Sequence, residues 1–437
     1  MRSLRNPIAV TRLWPLGLAP LLALATVGAA LTVCRLPTAS VTQTVPVGTM
    51  PGVATLDRGT ARLLVSNDGD ATLSVLDARD GHLVRTVPIA TPLLSAPQAL
   101  VVDVPRHRAF VVNHDEVTNS SRVRVLDTRT VALVQTIRVG DGANAVAVDA
   151  HVGHVFVTNG EAHSVSMLDV ATGTVLRTIA MDLAPQAVCV DEQTAHAFVV
   201  AQRANPLGYP VTPGTVSVLD TRTGAVLRSV GAGDDPGPPV VDAQTGRVFV
   251  ASQADNTVRV LDARSGAVVR LVSVGGSPTA LAVHVWHGRV FVVNALDGTL
   301  SMLDATDGHL LRTIQVGPHP SAVAVDERRN RLFVTAWGPT HEPGFPTGVG
   351  KVSVFDLRSG ALRRIIPVGV APQDVVVDEQ SGHAFVVNQG GLVYVPGGWA
   401  ERWMERVRPW LPWLPQWAHP TQRVPSSVSM LDLTTVL

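Results

Sequence analysis

The chain has 437 residues, of which 46% are apolar and 4% aromatic, and its 35 basic and 35 acidic residues give zero formal net charge. This length can bury a large core, and length alone would suggest two or three domains. Lys351 is the only lysine, and no basic stripe indicates a nucleic-acid partner. Motifs for covalent haem, paired-cysteine zinc, nucleotide phosphates and the GxSxG nucleophile are absent, so neither haem attachment nor nucleotide binding is expected.

The first 34 residues predict a membrane-directing segment. Residues 13–34 carry no charge, and the basic residues that precede them are Arg2, Arg5 and Arg12. This pattern favours a transmembrane anchor with residues 1–12 in the cytoplasm. The alternative is a cleaved signal peptide with small residues near Ala29, and the sequence before Cys34 is similar to a lipoprotein box.

All these versions place residues 40–437 outside the cytoplasm, at the cell surface or in the periplasm, or in the medium if the segment is cleaved. The only other cysteine, Cys189, is predicted to be a small core residue, so no disulfide is expected.

A short apolar run that ends in aspartate occurs eight times, with a shortest spacing of 42 residues. The eight aspartates are Asp77, Asp127, Asp169, Asp220, Asp262, Asp304, Asp356 and Asp432. Such a period is typical of a repeat array, and the repeat favours one closed domain over several. Because eight copies of one catalytic residue would be unusual, these aspartates are predicted to be turn residues.

One complete repeat contains four short valine-rich segments. Within residues 144–181 they end at Asp149, Asn159, Asp169 and Ile179, and each is bounded by turn-forming residues. Four short strands in about 42 residues are typical of a propeller blade. The sequence therefore predicts an all-β propeller of four-stranded antiparallel blades.

The number of blades follows from the strand copies. The first three strands occur eight times, but the fourth strand follows only seven of them. Residues 40–48 resemble residues 131–140, which form a fourth strand. We therefore expect an eight-bladed ring in which this N-terminal strand completes the last blade, because closure removes exposed sheet edges. Seven blades are the alternative.

Residues 288–317 resemble the repeat unit of the YVTN β-propeller family of cell-surface and exported proteins, and the letters VTN stand at residues 157–159. The resemblance covers residues 40–437 apart from the insertions. It implies an extracytoplasmic propeller but no particular activity, since the family shares no single reaction. Seven blades are common in that family, so an eighth would be a departure.

Three long insertions interrupt the repeat, all between a second and a third strand. They are residues 202–214, 337–350 and 389–427. Because these loops share one side of a propeller, that side is predicted to bind a protein, a glycan or a cell-envelope component. Tolerated growth of surface loops is the alternative.

The last insertion is rich in tryptophan and proline. Its residues 399–407 have helical apolar spacing, which suits a membrane interface or a partner surface; a local cap over the ring is the alternative. The predicted membrane or partner contacts, including one from the second insertion, are Trp337, Trp399, Trp403, Trp410, Trp413 and Trp417.

A few polar residues depart from the repeat near the predicted channel mouth. Asp374 replaces an alanine found in five other copies, and the histidines predicted on the same face are His114, His319 and His341. Carboxylates and histidines can bind a divalent metal or act as general acid and base. The pairs His151/His154 and His284/His287, on the opposite face, are predicted to be ordinary surface histidines.

Two functions are consistent with these patterns. The first is a membrane-anchored extracytoplasmic propeller that binds partners and has no enzymatic activity. The alternative is a hydrolase or lyase, similar to a lactonase, with a metal or acid/base site at the channel mouth. The sequence favours the first, because no catalytic motif is evident.

Overall fold

The computed structural model describes residues 41–89, 95–115, 118, 120–202, 213–338, 348–394 and 421–434. All of them belong to one compact unit, Ala39–Leu437. These residues form 34 β-strands and one short 3-10 turn, η1 (Val285–His287), and no α-helix. The described residues contain no helix that is long and apolar enough to cross a membrane. The predicted anchor, residues 13–34, lies outside them.

Strand β1 (Val41–Pro46) comes first, and the next sixteen strands form four sheets in sequence order. Blade 1 contains β2 (Pro51–Asp57), β3 (Arg62–Asn67), β4 (Thr72–Asp77) and β5 (Leu83–Pro88). Blade 2 contains β6 (Ser95–Asp103), β7 (Arg108–Asp115), β8 (Ser120–Asp127) and β9 (Ala132–Arg138). Blade 3 contains β10 (Ala143–Asp149), β11 (His154–Asn159), β12 (Ser164–Asp169) and β13 (Val175–Ala180). Blade 4 contains β14 (Ala184–Asp191), β15 (His196–Gln202), β16 (Gly214–Asp220) and β17 (Val226–Gly233).

The remaining strands complete four more sheets and one hairpin. Blade 5 contains β18 (Val240–Asp242), β19 (Arg247–Ser252), β20 (Thr257–Asp262) and β21 (Val268–Ser273). Blade 6 contains β22 (Pro278–His284), β23 (Arg289–Asn294), β24 (Thr299–Asp304) and β25 (Leu310–Gln315). Blade 7 contains β26 (Pro320–Asp326), β27 (Arg331–Ala336), β28 (Lys351–Asp356) and β29 (Leu362–Pro367). Blade 8 contains β30 (Pro372–Asp378), β31 (His383–Asn388), β34 (Ser427–Asp432) and β1, while β32 (Gly391–Tyr394) pairs with β33 (Thr421–Val424).

The eight blades form a closed ring. Each first strand contacts the first strands of both neighbouring blades, and the series returns from β30 to β2. Strand β1 pairs antiparallel with β34, from Val41 opposite Leu431 to Pro46 opposite Ser427. The predicted eight-bladed propeller closed by the N-terminal strand is therefore confirmed, and the seven-bladed alternative is wrong.

The core lies between the blades. The second and third strands are buried on both faces, whereas the fourth strands are mostly exposed. In blades 2–8 the second strand carries a phenylalanine that is at most 1% exposed, and Leu64 occupies this position in blade 1. Each of these side chains packs against a neighbouring blade, which explains the unbroken apolar runs in the sequence.

The repeated polar residues hold turns and strand ends. Asp169 Oδ1 accepts hydrogen bonds from the Thr172 backbone N–H and hydroxyl, and these bonds lower the pKa of the carboxyl. Asn159 is fully buried, and its Nδ2 donates to Ser164 Oγ and Ser166 Oγ. The turn role predicted for the aspartates is therefore confirmed.

Strand β1 provides a direct test of ring closure. Val45 is 6% exposed and packs against Leu63 and Phe385, while the preceding Thr44 is exposed. We expect V45D to lower the free energy of unfolding by about 3 kcal/mol or more, because it buries an unpaired charge. The control T44D should change it by no more than about 0.5 kcal/mol. Urea denaturation measures both, and equal values for the two variants would contradict the closure.

Candidate functional site

The three insertions emerge from one side of the ring, here called the insertion face. They connect β15 to β16, β27 to β28 and β31 to β34, which are second-to-third connections in blades 4, 7 and 8. This placement agrees with the sequence prediction. The central residues 203–212, 339–347 and 395–420 lie outside the described part of the chain. The five tryptophans from Trp399 to Trp417, and His341, are among these undescribed residues.

The third insertion begins and ends as a β-hairpin. Strands β32 and β33 pair with Gly391 opposite Val424 and Tyr394 opposite Thr421. The hairpin stem is tied to the ring because Ser426 Oγ donates to the Gln389 carbonyl at 2.6 Å and Val47 N donates to the Ser426 carbonyl at 3.4 Å. The segment that follows the closing strand β1 therefore contacts the base of this insertion.

A cleft of about 250 Å³ lies where the hairpin stem meets the start of blade 1. Its lining residues are Val47, Thr49, Met50, Gln389, Val424, Pro425 and Ser426. The lining is mostly apolar and contains no charged side chain. It is therefore suited to an apolar group of a partner and not to acid/base chemistry.

Trp337 is the one predicted contact tryptophan among the described residues. It directly follows β27 and is half-buried, and its backbone N–H donates to the His319 carbonyl at 3.1 Å. Its indole Nε1 is buried and has no hydrogen-bond partner within the described structure. This N–H is available to an acceptor from a neighbouring segment or a partner.

Asp374 lies in the innermost strand of blade 8, as predicted. Its Oδ2 accepts from the Ala54 backbone N–H of blade 1 at 3.0 Å, and its Oδ1 accepts from its neighbour, the Val375 N–H, at 2.8 Å. Burial raises the pKa of this carboxyl to about 6, although both hydrogen bonds oppose the rise. Asp374 thus links the last blade to the first, and its contacts are to backbone amides.

The two predicted histidines within the described residues, His114 and His319, do not join Asp374. His319 is exposed, with a left-handed backbone, and His114 Nδ1 lies 3.0 Å from Ser121 Oγ in blade 2. Across the described ranges, no group of three or more His, Cys, Asp or Glu side chains is arranged to hold a metal. The structure thus does not bring together the described members of the predicted acid/base or metal site.

The prediction that His284 is an ordinary surface histidine is wrong. His284 is 0% exposed and replaces the aspartate that ends the other first strands. Its Nδ1 accepts from the His287 backbone N–H at 3.2 Å and caps η1. Burial, together with the nearby His287 and Arg289, lowers its pKa to about 4. The imidazole is therefore neutral near pH 7 and replaces a carboxylate as a hydrogen-bond acceptor.

His154 also has a structural contact. Its side chain is half-buried, and Nδ1 lies 2.7 Å from the Thr221 carbonyl of the next blade. His196 and His383 make the same contact with their next blades. His154 is therefore partly exposed but also links two blades, while His151 is exposed as expected.

Sequence reasoning did not identify Asp68. It follows β3 on the insertion face, where burial raises its pKa to about 6 against the opposing effect of a hydrogen bond with Ser66. Its Oδ1 is buried and has no partner in the part of the chain that the structure covers. Nothing in the repeat distinguishes this position, because a polar turn residue is ordinary there.

Comparisons with known proteins agree with a propeller. Residues 212–401, less than half of the chain, match a family model described as outer membrane protein assembly factor BamB. No curated protein sequence matches the chain. The solved structure of dihydro-heme d1 dehydrogenase NirN in complex with DHE is similar, with a TM-score of 0.60 and 14% identity over 92% of this chain and 84% of that one. At this identity the similarity shows the fold alone.

The acid response of His284 is testable. Its folded-state pKa of about 4 lies below the unfolded value of 6.5, so the unfolded chain binds more protons between these values. Stability from this group is complete above pH 6.5 and is lost as the pH falls towards 4, by roughly 2–3 kcal/mol.

We expect H284D to remove this loss of stability, because blade 7 has an aspartate at the corresponding position. There Asp326 caps the turn by accepting a hydrogen bond from the Arg329 N–H. The exposed His309 of the same blade provides the control variant H309D. Urea denaturation between pH 4 and 7 measures the effect. A wild-type acid response that persists in H284D would contradict the assignment.

Asp374 should show the opposite pH dependence. Its folded-state pKa of about 6 lies above the ordinary 3.8, so the folded protein binds the extra proton between these values. The free energy of unfolding should therefore fall by about 2 kcal/mol from this group as the pH rises from 4 to 6.

The variant D374N keeps an acceptor for the Ala54 N–H but cannot ionise. We expect the difference in unfolding free energy, D374N minus wild type, to increase from pH 4 to pH 7. The same urea measurements provide this difference, and a difference that does not change with pH would show that the pKa of the Asp374 carboxyl is not raised.

Proposed function

We propose that this protein is a membrane-anchored, extracytoplasmic scaffold that binds a protein, a glycan or another cell-envelope component through its insertion face. The observation that carries the proposal is that three expansions of a regular repeat emerge from the same side of the ring. Loops on a rigid scaffold are where proteins most often place binding residues. The other connections in the ring are mostly short turns.

The third insertion is the principal candidate for the contact. Its stem adjoins a mostly apolar cleft, and the sequence between the two hairpin strands contains five of the eight tryptophans. Tryptophan and arginine are enriched at binding hot spots and at membrane interfaces. Trp337, which is half-buried, adds another tryptophan to the insertion face at the start of the second insertion, in blade 7.

The family match supports an envelope role. The model is described as an outer membrane protein assembly factor, and this description is consistent with a role of this chain in binding other proteins at the cell envelope. The matched residues include all of the second insertion, 337–350, and the first third of the third insertion, residues 389–401. The apolar segment 13–34 supports an extracytoplasmic location through its charge pattern.

The alternative is an acid/base hydrolase or lyase at the channel mouth. The observation that favours it is the raised pKa of Asp374 in the innermost strand, since a carboxyl that titrates near pH 6 can act as a general acid or base. Metal analysis of the purified protein and the pH dependence of any hydrolytic activity distinguish this alternative from the scaffold.

The third insertion can be removed without opening the ring. Tyr394 and Thr421 are opposite each other in the hairpin, so an Asn-Gly turn can join them in place of residues 395–420. In the unit 39–437, which omits the predicted anchor, we expect this variant to keep its melting temperature. We also expect it to lose most of its association with isolated cell envelopes, measured by sedimentation.

The matched control is W286S. Trp286 is 66% exposed and lies in η1, on the opposite side of the ring. This variant should sediment with envelopes like the unaltered unit. Equal sedimentation of the unaltered unit and the shortened variant would contradict a binding role for the third insertion.

A further inference from the structure

Blade 2 departs from the polar pattern that secures the ends of the second strands. In blades 1, 3, 6 and 8 a buried asparagine donates from Nδ2 to hydroxyl oxygens of the third strand. The pairs are Asn67 with Thr72 and Ser74, Asn159 with Ser164 and Ser166, Asn294 with Thr299 and Ser301, and Asn388 with Ser427 and Ser429. In blade 2 the asparagine is Asn113, but Arg122 and Arg124 occupy the two hydroxyl positions.

Asn113 consequently has no hydrogen-bond partner in the described structure. Its side chain is 4% exposed, and both Nδ2 and Oδ1 are buried and unpaired. An unpaired buried amide is costly, and most such groups in folded proteins are satisfied by protein, water or a ligand. Asn113 lies directly opposite Arg122 in the sheet, so its side chain is on the same face as that arginine.

A third arginine lies on this face. Arg138 of β9 pairs with Arg122 across the sheet, and Arg124 is two residues along β8 from Arg122. Side chains directly opposite, or two residues apart on one strand, share a face. We call Arg122, Arg124 and Arg138 the arginine cluster. The alternate residues Val123 and Ile137 pack against blade 3, so Arg122 and Arg124 face the groove towards blade 1. Arg138 lies at the outer edge of the blade, where it also borders a cleft with blade 3.

Among the described residues the cluster has no counter-charge; Glu116, in the β7–β8 loop, lies outside them. Within the described structure none of its three side chains makes an ion pair or a hydrogen bond, and Arg124 Nε is buried without a partner. Burial, with a contribution from Arg122, lowers the pKa of Arg124. The linker sequence 90–94, ATPLL, contains no acidic residue. Like charges opposite each other in a sheet are destabilising when nothing compensates them.

Blade 5 shows how the fold satisfies an arginine at the same repeat position. Arg259 corresponds to Arg124, and its Nη1 donates to the Ala232 carbonyl at 2.6 Å and to Ser252 Oγ at 2.9 Å. It also forms an ion pair with Asp255 at 3.6 Å. Arg259 is therefore a structural residue, whereas Arg124 has the same strand position without these partners.

We propose that the arginine cluster and Asn113 form a binding site for a phosphate group in the groove between blades 1 and 2. Guanidinium groups bind phosphate oxygens through paired, charge-assisted hydrogen bonds, and several of them can surround one tetrahedral anion. The Asn113 Nδ2 adds a neutral donor at the base of the groove. The site lies in other blades than the three insertions, so it is independent of the proposed scaffold role.

The decisive variant restores the pattern of blade 3. R122S/R124S supplies two hydroxyls for Asn113, so we expect it to fold with an equal or higher melting temperature. Inorganic phosphate should raise the melting temperature of the wild-type full-length protein beyond the effect of chloride at equal ionic strength. Calorimetric titration should show binding of phosphate that is weaker by about tenfold or more in R122S/R124S.

The control is R129Q, which removes an exposed arginine from the β8–β9 turn of the same blade, on the opposite side of the ring. It should bind phosphate like the wild type. Two further probes identify the source of the phosphate group: glycerol 3-phosphate for a soluble monoester, and dihexanoyl phosphatidylglycerol below its micelle concentration for a lipid headgroup.

Binding of either probe that depends on Arg122 and Arg124 supports the site and identifies its ligand class. The proposal is overturned if the wild type binds none of the three phosphate compounds. It is also overturned if R122S/R124S binds them as well as the wild type does, or if citrate binds and phosphate does not.

Discussion

Ring closure through β1 is the constraint on which the rest of the structure depends. The chain places the last strand of blade 8 at its beginning, and β1 pairs with β34 across almost the whole sequence. Without this pairing, β34 would have an exposed edge, and the apolar side chains around Val45 would lose part of their cover. Closure also brings the segment after β1 against the stem of the third insertion. The residues that follow β1 and the stem of the third insertion therefore lie in one region.

In a repeat protein, comparing the repeats with one another separates structural residues from functional ones. Turn aspartates, strand-end asparagines and interdigitating phenylalanines recur because every blade has the same turns and packs against its neighbours in the same way. Departures have two different outcomes here. His284 and Asp374 replace common residues and find new backbone partners, so the fold absorbs them. Arg122 and Arg124 replace two hydroxyls, and within the described structure neither they nor Asn113 have a hydrogen-bond partner, which is the pattern expected of a binding site.

The channel mouth illustrates why polar residues on one face need not form one site. The sequence groups Asp374 with the histidines because all of them are near one face of the ring, and a ring of eight blades spreads that face around a circumference. His114 and His319 belong to blade 2 and to the start of blade 7, and each has its own local environment. Asp374 instead reaches sideways to the Ala54 amide. Position on a face restricts a side chain to a surface, but only the blade number and strand depth determine its neighbours.

The sequence by itself determined the four-stranded blade, the number of blades, the closing strand and the location of the insertions, because these follow from local periodicity and from counting copies. Only the tertiary structure decided the burial of His284, the backbone contacts of Asp374 and the raised pKa of Asp68. It also decided that Arg122, Arg124 and Arg138 share one face of a sheet. The physical reason is that pKa values and unpaired groups depend on neighbouring blades and on desolvation. Strand register and inter-blade packing create both, and neither is encoded within a single repeat.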